Sequence, residues 1–169
     1  MLEIINNLKP FFEDCYRRIS VREYSRLAKI SPPTASKMLL EYNKRGLLLL
    51  EKDRNYFFYY ANKSSKIFID LSRIYWRIRL EDLVNFLNKN LTNPTLILFG
   101  SLSKAETKFD SDVDICIIGH KKELNLTKFE TNLRRRIQVF FYNSLQDIKN
   151  EKLVNNIING HVLGGRLRL

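Results

Sequence analysis

The residues best equipped for chemistry lie in the run LILFGSLSKAETKFDSDVDICII, from Leu96 to Ile118. Leu96, Ile97, Leu98 and Phe99 read as a short buried strand ending on Gly100-Ser101. Ten residues later Asp112-Val113-Asp114 leads into Ile115, Cys116, Ile117 and Ile118. Because a strand alternates sides, Asp112 and Asp114 project from one face, roughly 7 Å apart along the chain, with Val113 turned into whatever covers the sheet. Two carboxylates side by side in an apolar strand repel each other and resist desolvation unless a cation sits between them. Magnesium suits such a pair, since it takes carboxylate oxygens together with the phosphate oxygens of a nucleotide. Gly100 lets backbone approach a phosphate closely, and Ser101 offers a hydroxyl and an N–H where a helix would start.

Gly100-Ser101, ten intervening residues and Asp112-x-Asp114, with apolar flanks on both halves, resemble the signature of the polymerase-β-like nucleotidyltransferase superfamily. The small minimal nucleotidyltransferases of bacteria and archaea are the most similar group. The resemblance covers about residues 80–165. It implies Asp112 and Asp114 as catalytic and metal-holding residues, Gly100 and Ser101 as the cradle of the β- and γ-phosphates, and Lys104 as a further phosphate contact. It also implies Mg2+ and a nucleoside triphosphate, ATP first among them. Minimal nucleotidyltransferases resembling this chain often act as antitoxins that adenylylate a partner toxin.

The elements that must position these residues fill a chain of 169 residues, enough for one medium domain or two small ones. Hydrophobic content of 44% with 28% charged residues fits a soluble globular protein, and no apolar run approaches the ~18–20 residues of a membrane span. Glu3 and Asn6-Asn7 argue against a signal peptide. Two distant cysteines, Cys15 and Cys116, sit in apolar contexts, which reads as a reduced, cytoplasmic protein. The net charge of +11 favours polyanion partners and is spread along the chain.

In the N-terminal third, Ile4, Ile5, Leu8, Phe11, Phe12 and Cys15 form a helical stripe, which Pro10 either splits or leaves to a second helix starting at Lys9. Ser20 with Glu23 fits a capping box for a helix through Ile30. Ser31-Pro32-Pro33 breaks that helix and starts a third one, which ends at Gly46. Leu47–Glu51, a polar turn at 52–55 and Tyr56–Ala61 read as a β-hairpin. Residues 21–62 resemble a winged helix-turn-helix over nearly their whole length. That resemblance implies double-stranded DNA as partner, with Thr34, Ser36 and Lys37 near bases or phosphates, Lys44 and Arg45 on phosphates, and Lys52 and Arg54 at the wing tip. Winged helices also serve as dimerisation and docking modules, so a homodimer is a second expectation.

Residues 64–91 carry apolar residues at helical spacings, and the expected arrangement is a helix pair with Arg73, Arg77 and Arg79 solvated and Trp76 packed. Asn93-Pro94 opens the core strand. Beyond Ile118 the expected order is a helix at Leu124–Leu133, a buried strand at Arg136–Phe141, a helix from Ser144 to Ile158 and a glycine-containing apolar tail. The expected architecture is therefore α+β. A winged helix-turn-helix at 1–63 and a helical connector at 64–92 precede a nucleotidyltransferase-like domain at 93–169, which takes in the helix from about residue 80 and holds a short mixed sheet flanked by helices.

One departure from the family pattern bears on activity. The resemblance implies a third carboxylate on the strand after Asp-x-Asp, and the matching residue here is Gln138. With three carboxylates, two metal ions clamp both the attacking and the leaving oxygen; a glutamine brings no charge and is a poor base. No Asp or Glu lies between Thr131 and Leu145, so Glu130 or Asp147 would have to swing in. Two readings follow. One is a magnesium-dependent enzyme transferring a nucleotide such as AMP to a protein (a cognate toxin, for instance) or a small molecule. The other is a DNA-binding regulator whose catalytically degenerate transferase domain senses nucleotide or a partner.

Overall fold

Side-chain caps set much of the helical layout in the computed structural model, which describes residues 3–167. Ser20 accepts the N–H of Glu23 and opens α2 (Val21–Ala28), and Ser31 accepts that of Thr34 and opens α3 (Pro32–Lys44). Before them α1 (Glu3–Glu13) runs straight through Pro10. A proline inside a helix costs roughly 3 kcal/mol. Ile5, Leu8, Phe11 and Phe12 are fully buried, and at about 1.5–3 kcal/mol each their burial outweighs that cost. Glu23 does not complete a capping box, because its carboxylate is held by Arg17 at 2.6 Å.

The chain divides into two compact units, Met1–Ser72 with Ala105–Phe109, and Arg73–Lys104 with Asp110–Leu169. In the first, β2 (Leu48–Asp53) and β3 (Tyr56–Ala61) form the hairpin. Its turn is tighter than expected, only Arg54-Asn55, with Arg54 in the left-handed region. A short strand not anticipated from the sequence, β1 (Ile19–Ser20), pairs antiparallel with β3 and leaves β2 at the edge.

The boundary between the units falls inside α4 (Lys66–Arg79), and α5 (Glu81–Asn90) follows after Leu80. Leu80 is fully buried at the break, while Glu81 and Asp82 occupy the first turn of α5, where the positive helix end favours them. The arginines of α4 are not all solvated. Arg73 donates to the Ser103 carbonyl at 2.9 Å, and Arg77 donates to the carbonyls of Val162 and Leu163 at 3.0 and 3.2 Å.

The second unit is built on a four-stranded mixed sheet in the order β6-β5-β4-β7. The central strands β4 (Thr95–Phe99) and β5 (Val113–Ile118) are antiparallel, while β5 and β6 (Ile137–Tyr142) are parallel, joined through α6 (Thr127–Leu133). Helix α6 starts three residues later than expected, where the Asn125 side chain accepts the N–H of Thr127. The helix expected over Ser144–Ile158 is split. Ser144 and Asp147 cap one 3-10 turn reciprocally, and Asn150 caps α7 (Glu151–Ile158) separately. The apolar tail is a strand, β7 (His161–Gly164), antiparallel to β4. One face of the sheet packs Ile97, Phe99 and Cys116 against Leu145, Ile148 and Ile157. The fold is mixed α+β, and among the described residues no helix is long and apolar enough to cross a membrane.

Candidate active site

Asp114 is the second residue of β5, between Phe99 on β4 and Gln138 on β6. Asp112 lies one residue ahead of the strand. Val113 between them is fully buried, so the chain is fixed with its carboxylates on the other face. Two contacts from the turn before β6 hold the start of β5 in place. The Val113 N–H donates to the Arg136 carbonyl at 2.8 Å, and the Arg135 guanidinium donates to the Ser111 carbonyl at 2.7 Å. Arg135 itself lies over the ring of buried Trp76, 5.2 Å from its centroid.

Facing this pair is the loop after β4. Gly100 has φ +71°, and a Cβ there would collide with the Asp114 carboxylate. Buried Ser103 donates its hydroxyl to the Gly100 carbonyl at 2.9 Å, and Arg73 holds the Ser103 carbonyl. Ser101 precedes one 3-10 turn, Leu102–Lys104, rather than the helix expected there, so its N–H has no helix dipole behind it. Lys104 donates to the Asn156 side chain on α7 at 2.6 Å, an anchor 52 residues away that local sequence could not reveal. The loop thus brings Gly100 against Asp114, with Ser101 beside it and Lys104 tied to α7.

Burial, and then the nearby Asp112 charge, raise the Asp114 pKa above the ordinary carboxylate value. Gln138 stands in register with Asp114, and its Nε2 donates to Asp112 Oδ2. The two acids that could replace a missing carboxylate are committed elsewhere. Glu130 accepts the Ile137 N–H at 2.9 Å, and Asp147 accepts the Ser144 N–H at 2.9 Å. Among the described residues no group of three or more His, Cys, Asp or Glu is placed to hold a metal. The donor set therefore fits one hard cation held by two carboxylates and completed by phosphate and water oxygens. Such a cation would offset both the burial and the Asp112 repulsion that raise Asp114.

A cavity of about 1030 Å³ opens at the opposite end of β4 and β5, lined by Asn93, Thr95, Ile118, His120, Ser144 and Arg166 among others. His120 lies there, away from the carboxylates. In the first unit Thr34, Ser36, Lys37, Lys44, Arg45, Lys52 and Arg54 are all exposed. Two of them have partners. The Thr34 hydroxyl shares a 2.8 Å hydrogen bond with Ser31, and Arg45 pairs with Glu41 at 2.6 Å. On the hairpin, Glu51 and Asp53 both pair with Arg18.

A family model described as "Polymerase beta, Nucleotidyltransferase" matches residues 81–166, the stretch that holds α5, the four-stranded sheet and both carboxylates. No curated protein and no solved structure matches the chain.

Proposed function

The chain belongs to the polymerase beta nucleotidyltransferase family, and from that premise we propose that its second unit binds a nucleoside triphosphate, ATP first among them, with Mg2+, and transfers the nucleotide to an acceptor hydroxyl. The observation that carries this reading is the pair Asp112 and Asp114 held at one end of an apolar sheet, with side-chain-free Gly100 directly against Asp114. Asp112 and Asp114 would hold the cation. When bound, it supplies positive charge to the phosphate oxygens as the leaving group departs. Gly100 and Ser101 offer backbone and hydroxyl donors to the β- and γ-phosphates, and Lys104 reaches the same loop from its anchor on Asn156. An acceptor oxygen forms a bond to the α-phosphorus, and the bond from that phosphorus to the β-bridging oxygen breaks. Pyrophosphate leaves, and the acceptor proton passes to water, because Gln138 has no basic oxygen to take it.

The first unit is assigned as a winged helix-turn-helix that binds double-stranded DNA. Capped α2 and α3 followed by the β2–β3 hairpin support that reading, as do exposed Ser36, Lys37, Lys44, Lys52 and Arg54. A cytoplasmic antitoxin that modifies a cognate toxin, acts as a homodimer and occupies its own operator would combine both units.

A second reading is favoured by one observation, the Gln138 amide donating to Asp112. On that reading the domain senses nucleotide and regulates DNA binding without transfer. Calorimetric titration of each nucleoside triphosphate with Mg2+, on wild type and on Asp112→Ala/Asp114→Ala, tests both. Binding that needs Mg2+ and weakens more than about 100-fold in the double variant is expected. No binding of any triphosphate ends the nucleotide reading. Bound nucleotide with pyrophosphate release only after Gln138→Asp would select the sensor.

A further inference from the structure

We propose that Arg136 supplies the second positive charge of the site, contacting phosphate oxygens of the bound nucleotide where a second metal ion would otherwise sit. This rests on the nucleotide reading above and concerns the same site. The register of β5 and β6 pairs Val113 with Ile137 and Asp114 with Gln138, so Arg136 lies alongside Asp112 at the head of the sheet. Its carbonyl accepts the Val113 N–H, which fixes that alignment. Strand alternation back from Gln138, whose amide reaches Asp112, puts Arg136 on the carboxylate face.

The three consecutive arginines at this turn have different duties. Arg134 is the left-handed cap of α6, with φ +54°. Arg135 is committed to the Ser111 carbonyl and to Trp76. Arg136 is exposed, and no carboxylate among the described residues pairs with it. A cation left unpaired beside a carboxylate that already takes a glutamine amide is set for an anion that is not part of the chain.

Formal charge supports this assignment. Three carboxylates with two divalent cations sum to plus one. Asp112, Asp114, one divalent cation and Arg136 sum to the same value, whereas without Arg136 these groups sum to zero and Lys104, tied to neutral Asn156, is left to meet a strongly anionic triphosphate. A guanidinium donates in a planar fork that matches phosphate oxygens, so it replaces a metal's charge while adding direction. Neutral Gln138 and cationic Arg136 thus form one substitution, spread over two positions of a single strand.

The test is titration of a non-transferable α,β-methylene analogue of ATP in the presence of Mn2+, with bound Mn2+ counted by electron paramagnetic resonance. Wild type is expected to hold one Mn2+ per chain with the analogue bound. Arg136→Gln weakens the analogue about tenfold with an unchanged melting temperature, while Arg136→Lys recovers part of the loss. Arg134→Gln, which removes the same net charge two residues away, stays within about twofold. In Arg136→Gln/Gln138→Asp a second Mn2+ appears and affinity returns. Arg136→Gln binding as tightly as wild type, or two Mn2+ on wild type, overturns the role of Arg136 and leaves the nucleotide site standing. A wild type that takes up Mn2+ and no analogue overturns both.

Discussion

The two units carry their candidate chemistry in opposite ways. In the second, half-buried Asp114 is placed against its own interests, next to a like charge and with its pKa pushed up. In the first, every residue assigned to DNA is exposed, and Arg45 is neutralised by Glu41 from its own helix. A fold tolerates an unfavourable placement only where something compensates, so a raised carboxylate beside a like charge marks a candidate ligand site. Solvated charge costs nothing and carries no such mark. The carboxylate site can therefore be argued from the chain alone, whereas the DNA face rests on charge and outline.

The sharpest way to break this contrast is at Gly100. Gly100→Ala puts a Cβ into the Asp114 carboxylate and a side chain on a backbone at φ +71°. The expected result is a loss of roughly 2 kcal/mol or more in stability and loss of measurable Mg2+-dependent nucleotide binding. Urea unfolding and calorimetry read the two effects separately. A variant as stable as wild type would show that the loop after β4 is free to move away, and the contrast between a strained and an unstrained unit would fail.

Asp114→Asn reverses the usual cost of removing a charge. A carboxylate whose folded pKa is raised contributes stability that is fully present below its unfolded value, near 4, and is lost as pH rises through the folded value. At neutral pH the metal-free wild type therefore lacks that stability. The asparagine variant, with no such proton to lose, should be more stable there by no more than about 1 kcal/mol, since solvent screens a half-exposed group. The gain should vanish with excess Mg2+ and nucleotide, which stabilise wild type alone. Unfolding curves at acidic and neutral pH, with and without ligand, check the sign.

How much of this could be read beforehand varies with the range of the interactions. β4 and β5 were legible because their apolar runs directly flank Gly100 and Asp112 in sequence. The position of Gln138 opposite Asp114 followed from counting along the next apolar run. β1 and β7 were not legible. Two residues at Ile19–Ser20 become a strand only beside β3, and the HVLG segment reads as a tail until β4 supplies its partner. The long-range ties were equally hidden. Arg77 meets Val162 and Lys104 meets Asn156 across 85 and 52 residues, so neither left a local pattern. Of the arginines that looked solvated, Arg73 is a strut for the loop after β4 and Arg77 for β7, while Arg79 is exposed as expected. The split of α7 from Ser144–Asp147 turned on competition between two good caps, which residue identity alone does not decide.

The smallest stability effect is expected in the first unit, and it is the one that gives the DNA face physical content. Lys37, Lys44, Lys52 and Arg54 are exposed, and none is paired with a carboxylate among the described residues. Replacing any one of them by Ala should change stability by less than about 0.5 kcal/mol. If the face holds a DNA backbone, each phosphate that is no longer neutralised should lower the slope of log affinity against log salt by about 0.9. Fluorescence anisotropy on a duplex across a salt series, run on single and combined variants, measures that slope. A parallel shift with unchanged slope would mean the residues do not act through their charge, because any lost charge attraction depends on salt. A slope falling stepwise would give this unit the ligand signature that its unstrained surface withholds. Because Arg45 is already paired with Glu41, Arg45→Ala should move the slope less than Lys37→Ala. That ordering separates a face that docks phosphates from a chain that is merely basic.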